Sequence, residues 1–177
     1  PAPGRSREAW LRLGLTALGL LLGALAVLRL RTPQPTYWPI FWTWLAGMAL
    51  CLIATLPRPR DGASGLRQTL SGMNRWELLA VLALFGLALA LRAWHIDTIP
   101  WTLSGDEGNF GRWAREALDG RLTDMFSTGH LSMPSLYAFF QAAWLRLAGD
   151  NVVGLRLPWA VMGALSVLGT YLLVRRL

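Results

Sequence analysis

Lysine is absent from this chain: all 17 basic residues are arginine. Charge of either sign is scarce, at 15% of residues, against about 25% in soluble domains. The single cysteine, Cys51, excludes a disulfide within the chain, and its place inside an apolar run makes it a packing residue. A basic stripe or an aromatic platform on a soluble domain is also missing. The net charge of +7 therefore does not point to nucleic acid, and nucleic acid is not expected as a partner. The arginines gather instead at the ends of apolar runs, where such residues set orientation in a membrane.

What the chain does have is apolar length, with 54% hydrophobic residues. Four stretches, 9–28, 37–56, 78–96 and 157–174, reach the roughly 17–25 residues needed to cross a bilayer. The expected fold is all-α: a polytopic membrane helical bundle of four transmembrane helices, with juxtamembrane interfacial helices in one long outer loop. Membrane lipids are then partners. The first run resembles a signal peptide in its arginine-rich start, but it exceeds the usual apolar length of about 7–15 residues. A second span follows after eight residues, so a retained helix is expected. Gly19-x-x-x-Gly23 in that run, and Gly163, Ala164 and Gly169 in the last, allow close helix approach. The chain begins without methionine and stops at Val174-Arg-Arg-Leu177, as a segment of a longer polypeptide would. Its arginine-only, alanine- and leucine-rich composition points to a GC-rich bacterial genome and hence to a bacterial inner or plasma membrane.

Arg5, Arg7 and Arg12 precede the first span, and Arg58, Arg60, Arg67 and Arg75 lie between the second and third. Placing both groups in the cytoplasm puts the loop after the third span outside. From Asp97 to Arg156 that loop holds seven acids and five arginines, in keeping with an outer position. Arg29 and Arg31, in the first outer turn, run against the rule. The apolar stretch 135–149 is short, and Gln141 and Arg146 interrupt it. Crossing the membrane there would leave Arg175 and Arg176 outside; lying at the outer surface would place them in the cytoplasm. The second arrangement is expected, because runs of about 10–14 apolar residues are more often interfacial.

Directly after the third span comes an adjacent acidic pair, Asp106-Glu107. Carboxylates at the membrane surface usually have a use. Behind them Phe110, Trp113, Ala114, Ala117 and Leu118 recur with helical spacing, while Arg112, Arg115, Glu116 and Asp119 take the other face. Such a helix, with Phe and Trp on its apolar side, is expected to lie in the interface plane. Asp119-Gly120 ends it, and Pro134 opens the next helix. A structural role for the pair stands beside a chemical one. Ser104 and Glu107 have the spacing of a capping box, and both acids suit a helix N-terminus. His95 and His130 read as polar anchors, and no His/Cys/Asp spacing completes a metal site. The ten tryptophans, among them Trp38, Trp42, Trp44, Trp94 and Trp101, read as interface-belt residues.

In this order the pieces resemble the GT-C membrane glycosyltransferases. The nearest groups are the protein O-mannosyltransferase-like and aminoarabinose-transferase-like ones (glycosyltransferase families 39 and 83). The matching pieces are Asp106-Glu107, Ala114-x-x-Ala117-Leu118-x-Gly120, Pro134-x-Leu136-Tyr137 and Leu147-x-Gly149, followed by Arg156-Leu157-Pro158 and the closing Tyr171-Leu-Leu-Val-Arg-Arg-Leu177. The resemblance covers residues 78–177. It divides the chain into an N-terminal transmembrane hairpin with its cytoplasmic linker, 1–75, and the N-terminal part of a glycosyltransferase module, 76–177. His130-Leu-Ser-Met-Pro134-Ser135 departs from the family's Lys- or His-Pro-Pro, and the hairpin has no counterpart in the family's minimal core.

The resemblance implies inverting transfer of a sugar from a polyprenyl-phosphate donor to a glycan, lipid or protein acceptor outside the cytoplasm. It makes Asp106 the general base, with Glu107 orienting it, binding the acceptor or joining a metal. Substrate-binding candidates are Arg112, Arg115 and Arg92 for the lipid-borne phosphate, with His130 and Tyr137. Arg92 also reads as a snorkelling helix-end residue. No cofactor is otherwise implied; a divalent ion (Mg, Mn or Zn) would find candidate ligands in Glu107 and His130. The competing class is a non-enzymatic membrane subunit, a transporter or an assembly scaffold. A transporter is expected to carry ionisable or broken positions near midspan, and the middles of these four spans carry no charge.

Overall fold

The computed structural model describes residues 3–56, 72–103 and 105–175, without the side chains of 3–6 and 130. Arg58, Arg60, Arg67, Ser104 and Arg176, and the side chains of Arg5 and His130, lie outside the described residues. Among the described residues there are six α-helices: α1 Pro3–Arg29, α2 Trp38–Thr55, α3 Arg75–Ala93, α4 Gly105–Leu118, α5 Leu136–Ala148 and α6 Val152–Val174. A 3₁₀ turn covers His130–Ser132, and the described residues contain no named strand. The all-α expectation holds. α1, α2, α3 and α6 are long and apolar enough to cross a membrane, which marks an integral membrane protein.

Two compact units divide the chain, Pro1–Ala63 and Ser64–Leu177. In the first, α1 and α2 pack as a hairpin. A Cβ on Gly47 would fall 2.7 Å from the Gly19 carbonyl oxygen, so the two backbones meet where neither carries a side chain. Gly23, the other half of the expected motif, would meet open space with its own Cβ. Cys51 packs beside Gly19, with its Sγ 3.9 Å from the Thr16 carbonyl. The second unit begins earlier than residue 76. Asn74 caps α3 by accepting from the Glu77 amide at 2.8 Å, and the Gly72 carbonyl accepts from Arg175 at 3.1 Å.

α3 and α6 run antiparallel. At one end Glu77 is held by Arg175, with Nε to Oε1 at 2.5 Å and Nη2 to Oε2 at 3.2 Å, and it also accepts from the Tyr171 hydroxyl. At the other, Arg156 reaches the carbonyl of Ile96 just beyond α3. Residues 94–151 therefore start and finish at the same end of this pair. α5 has 13 residues, about 20 Å of helix, too short for an apolar layer of about 30 Å. It packs on α4 and α6 and does not span.

Three expectations need correction. α6 starts at Val152 and not at 157, because Asn151 caps it by accepting from the Gly154 amide at 3.0 Å. Pro158 is thus inside the helix, where it lacks the N–H that would bond the Gly154 carbonyl. Gln141, fully buried on α5, fills the gap: its Nε2 donates to the carbonyls of Gly154 at 3.2 Å and Leu155 at 3.0 Å. The glutamine that interrupts an apolar run in sequence repairs a proline in space. Pro134 does not open α5 either; it precedes the N-cap Ser135, and Thr128 bridges to it. Lastly, the apolar face of α4 is covered by other helices. Ala114, Ala142, Leu145 and Leu155 form one buried cluster joining α4, α5 and α6, with Ala117 against it. Gly120 (φ +71°) ends α4 in the left-handed conformation, as expected.

Gln141→Leu is expected to leave the buried Gly154 carbonyl, which Pro158 cannot serve, without its donor. The cost is about 1–3 kcal/mol, read as a lowered melting temperature of the purified protein.

Candidate functional site

Asp106 and Glu107 occupy the first turn of α4, where the helix dipole favours carboxylates. Their surroundings then differ. Glu107 is gripped by Arg156, with Nε donating to Oε1 at 2.5 Å and Nη2 to Oε2 at 3.0 Å. This two-point pair is the geometry in which a guanidinium and a carboxylate bind best. The remaining donors of Arg156 hold the segment after α3: Nη1 to the carbonyls of Ile96 at 2.9 Å and Pro100 at 3.2 Å, and Nη2 to that of Thr102 at 3.5 Å. The Arg156 side chain is 9% exposed and that of Glu107 22%. One guanidinium fixes both the path of the segment and the direction of Glu107.

Asp106 is exposed. With Glu107, Phe110, Tyr137, Leu155 and Trp159 it lines a cavity of about 300 Å³. α4 brings the acids and Phe110, α5 brings Tyr137, and α6 brings Leu155 and Trp159. Tyr137 stacks on Trp159 with ring centroids 5.5 Å apart and planes 10° from parallel. Phe110 leans on Tyr137 at 5.0 Å and 58°. Burial holds the Tyr137 phenol above the ordinary tyrosine range, so it stays a neutral donor and acceptor.

Trp113 supports this cluster from behind, 6.4 Å from Tyr137. Its indole lies directly over Gly129, where a Cβ would come within 1.9 Å of the ring. Gly129→Ala should push the indole off its seat and loosen Tyr137, at about 1–3 kcal/mol for overpacking. Shifted tryptophan fluorescence together with a lower melting temperature would register it; an unchanged spectrum would count against that seat.

The sequence-predicted residues do not all meet. Asp106, Glu107 and Tyr137 converge on the cavity. Arg112 and Arg115 lie on another face of α4 and line a separate hollow of about 210 Å³ with Asp150 and Asn151. Arg115 pairs there with Asp150 at 2.7 Å, both half-exposed. Arg92 donates to the Ala88 carbonyl of its own helix at 3.1 Å, and its guanidinium lies against Gly163 of α6. The backbone of His130 opens the 3₁₀ turn. Among the described residues no three His, Cys, Asp or Glu side chains gather at one point. Each oxygen of Glu107 accepts one bond from Arg156, which fixes the direction of the carboxylate.

Sequence reasoning missed Arg156, Phe110 and Trp159 as site residues. Arg156 carried a readable signal: a charged residue inside an apolar helix calls for a partner. Placing the span's start at 157 hid it. No family model, curated protein or solved structure matches the chain.

Proposed function

We propose that this membrane protein transfers a sugar from a polyprenyl-phosphate donor to an acceptor at the outer face of the bacterial inner or plasma membrane, with inversion and with Asp106 as general base. The observation that carries the reading is the cavity itself. An exposed carboxylate and an arginine-held one share it with aromatic rings, at the end of a pair of membrane-length helices. The ordered motifs that resemble the GT-C enzymes support it from the sequence.

In the reaction, an acceptor hydroxyl or amine gives its proton to Asp106 while its lone pair attacks the anomeric carbon. The bond from that carbon to the phosphate oxygen breaks, and polyprenyl phosphate leaves with the electron pair. Glu107, neutralised by Arg156, serves to orient the acceptor and not to take the proton. Arg112, in its separate hollow, is the candidate for the donor phosphate; Arg115 is already paired with Asp150.

The test is transfer of radiolabelled sugar in membranes containing the protein, across a panel of polyprenyl-phosphate donors, wild type against Asp106→Asn. Transfer that depends on Asp106 supports the reading, and equal transfer in both removes Asp106 from the chemistry. Wild-type membranes inactive with every donor would put the non-enzymatic subunit first.

A further inference from the structure

We infer that the cavity beside Asp106 binds a neutral saccharide ring, and not a peptide side chain or an anionic sugar. Calling that ring the acceptor rests on the transfer reaction proposed above; its binding does not. Three features of the lining converge on this chemistry.

The first is the aromatic wall. Trp159 is 46% exposed, with Tyr137 stacked nearly parallel to it and Phe110 leaning on Tyr137. Aromatic faces carry the negative part of the ring quadrupole, so they attract the weakly positive C–H hydrogens that cover one side of a pyranose. A peptide hydroxyl from serine or threonine offers no such face.

The second is the polar edge. Asp106 and Glu107 are acceptors for sugar hydroxyls, and bonds to a carboxylate are stronger than neutral ones. The Tyr137 phenol adds a neutral hydroxyl that both donates and accepts. A volume of about 300 Å³ is at the low end for small-molecule sites, which suits one ring and not a chain.

The third is charge. Arg156 balances Glu107 but does not line the cavity. Among the described lining residues none is basic, and Arg112 and Arg115 line the other hollow. A uronate or sugar phosphate would meet a like charge in the Asp106 carboxylate, which a neutral ring does not. Nor do the described residues offer a named strand whose edge could take an extended peptide.

The direct test is equilibrium binding to the full protein in lipid nanodiscs, with tritiated methyl hexopyranosides, the matching uronates and a serine tripeptide amide as probes. Saturable binding of a neutral glycoside is expected, weakened about tenfold or more by Trp159→Ala and largely kept by Trp159→Phe. Asp106→Asn should narrow the preference for neutral over uronate probes by about tenfold, a change that loosened packing would not produce. That second variant decides the matter even if Trp159→Ala fails to fold. Uronate or peptide binding as tight as the neutral glycoside overturns the inference, as does glycoside binding indifferent to Trp159. Glycoside binding without sugar transfer would sink the proposed reaction and keep the ring site. Transfer to a peptide with no glycoside binding would do the reverse.

Discussion

Arg156→Leu is expected to be among the most damaging single substitutions in the second unit. It removes the two-point partner of Glu107 and the donor to the carbonyls of Ile96, Pro100 and Thr102. Breaking a buried pair by removing one partner costs about 3–5 kcal/mol. The 22% exposure of the Glu107 side chain lets water reach its carboxylate and places the expected loss near 3 kcal/mol. Melting of the purified protein in detergent would show it. Arg156→Lys separates charge from geometry. A lysine keeps the positive charge but cannot fork onto Glu107 and reach the three carbonyls together. It should recover part of the stability while leaving the 96–102 segment loose, seen as faster amide exchange there. If Arg156→Leu melts like the wild type, the clamp does not organise the site.

Asp106→Asn should act oppositely, with a large effect on rate and a small one on fold. The side chain is exposed, and its helix-dipole contribution is at most about 1 kcal/mol. Asparagine matches its shape but cannot take a proton from an attacking hydroxyl. General-base assistance is worth about 10²–10⁴-fold, so transfer should fall by that factor at an unchanged melting temperature. A drop in both together would mean that Asp106 holds structure. Retained transfer would send the search for a base to another residue.

Much of the scaffold was readable because membranes impose a length and a composition. The four spans, the non-crossing α5 and the glycine stop of α4 follow from local counting. Relations across the chain were not readable. Periodicity marked Phe110, Trp113 and Ala114 as one apolar face, but lipid and another helix are equally apolar covers, and α5 and α6 turned out to be the cover. Gln141 looked like a flaw in an apolar run because the Gly154 carbonyl freed by Pro158 lies on a different helix. Asp106 and Glu107 stood out because acids beside a span are conspicuous, and Tyr137 entered through the Pro-x-Leu-Tyr motif. Arg112 and Arg115 were grouped with them by nearness in sequence, whereas helical rotation sends them to another face.

The α3/α6 pair is tied at both ends, by Glu77 with Tyr171 and Arg175 at one and by Arg156 at the other. Sliding one helix past its neighbour by a turn, about 5.4 Å, would break both ties at once. A bilayer thinner or thicker than the pair's apolar length must then be met by tilting the two helices as one beam. Tilt moves the beam's ends relative to the membrane surface but not relative to each other. Glu107, clamped to Arg156, travels with that end, so bilayer thickness becomes a control on how deep the cavity sits.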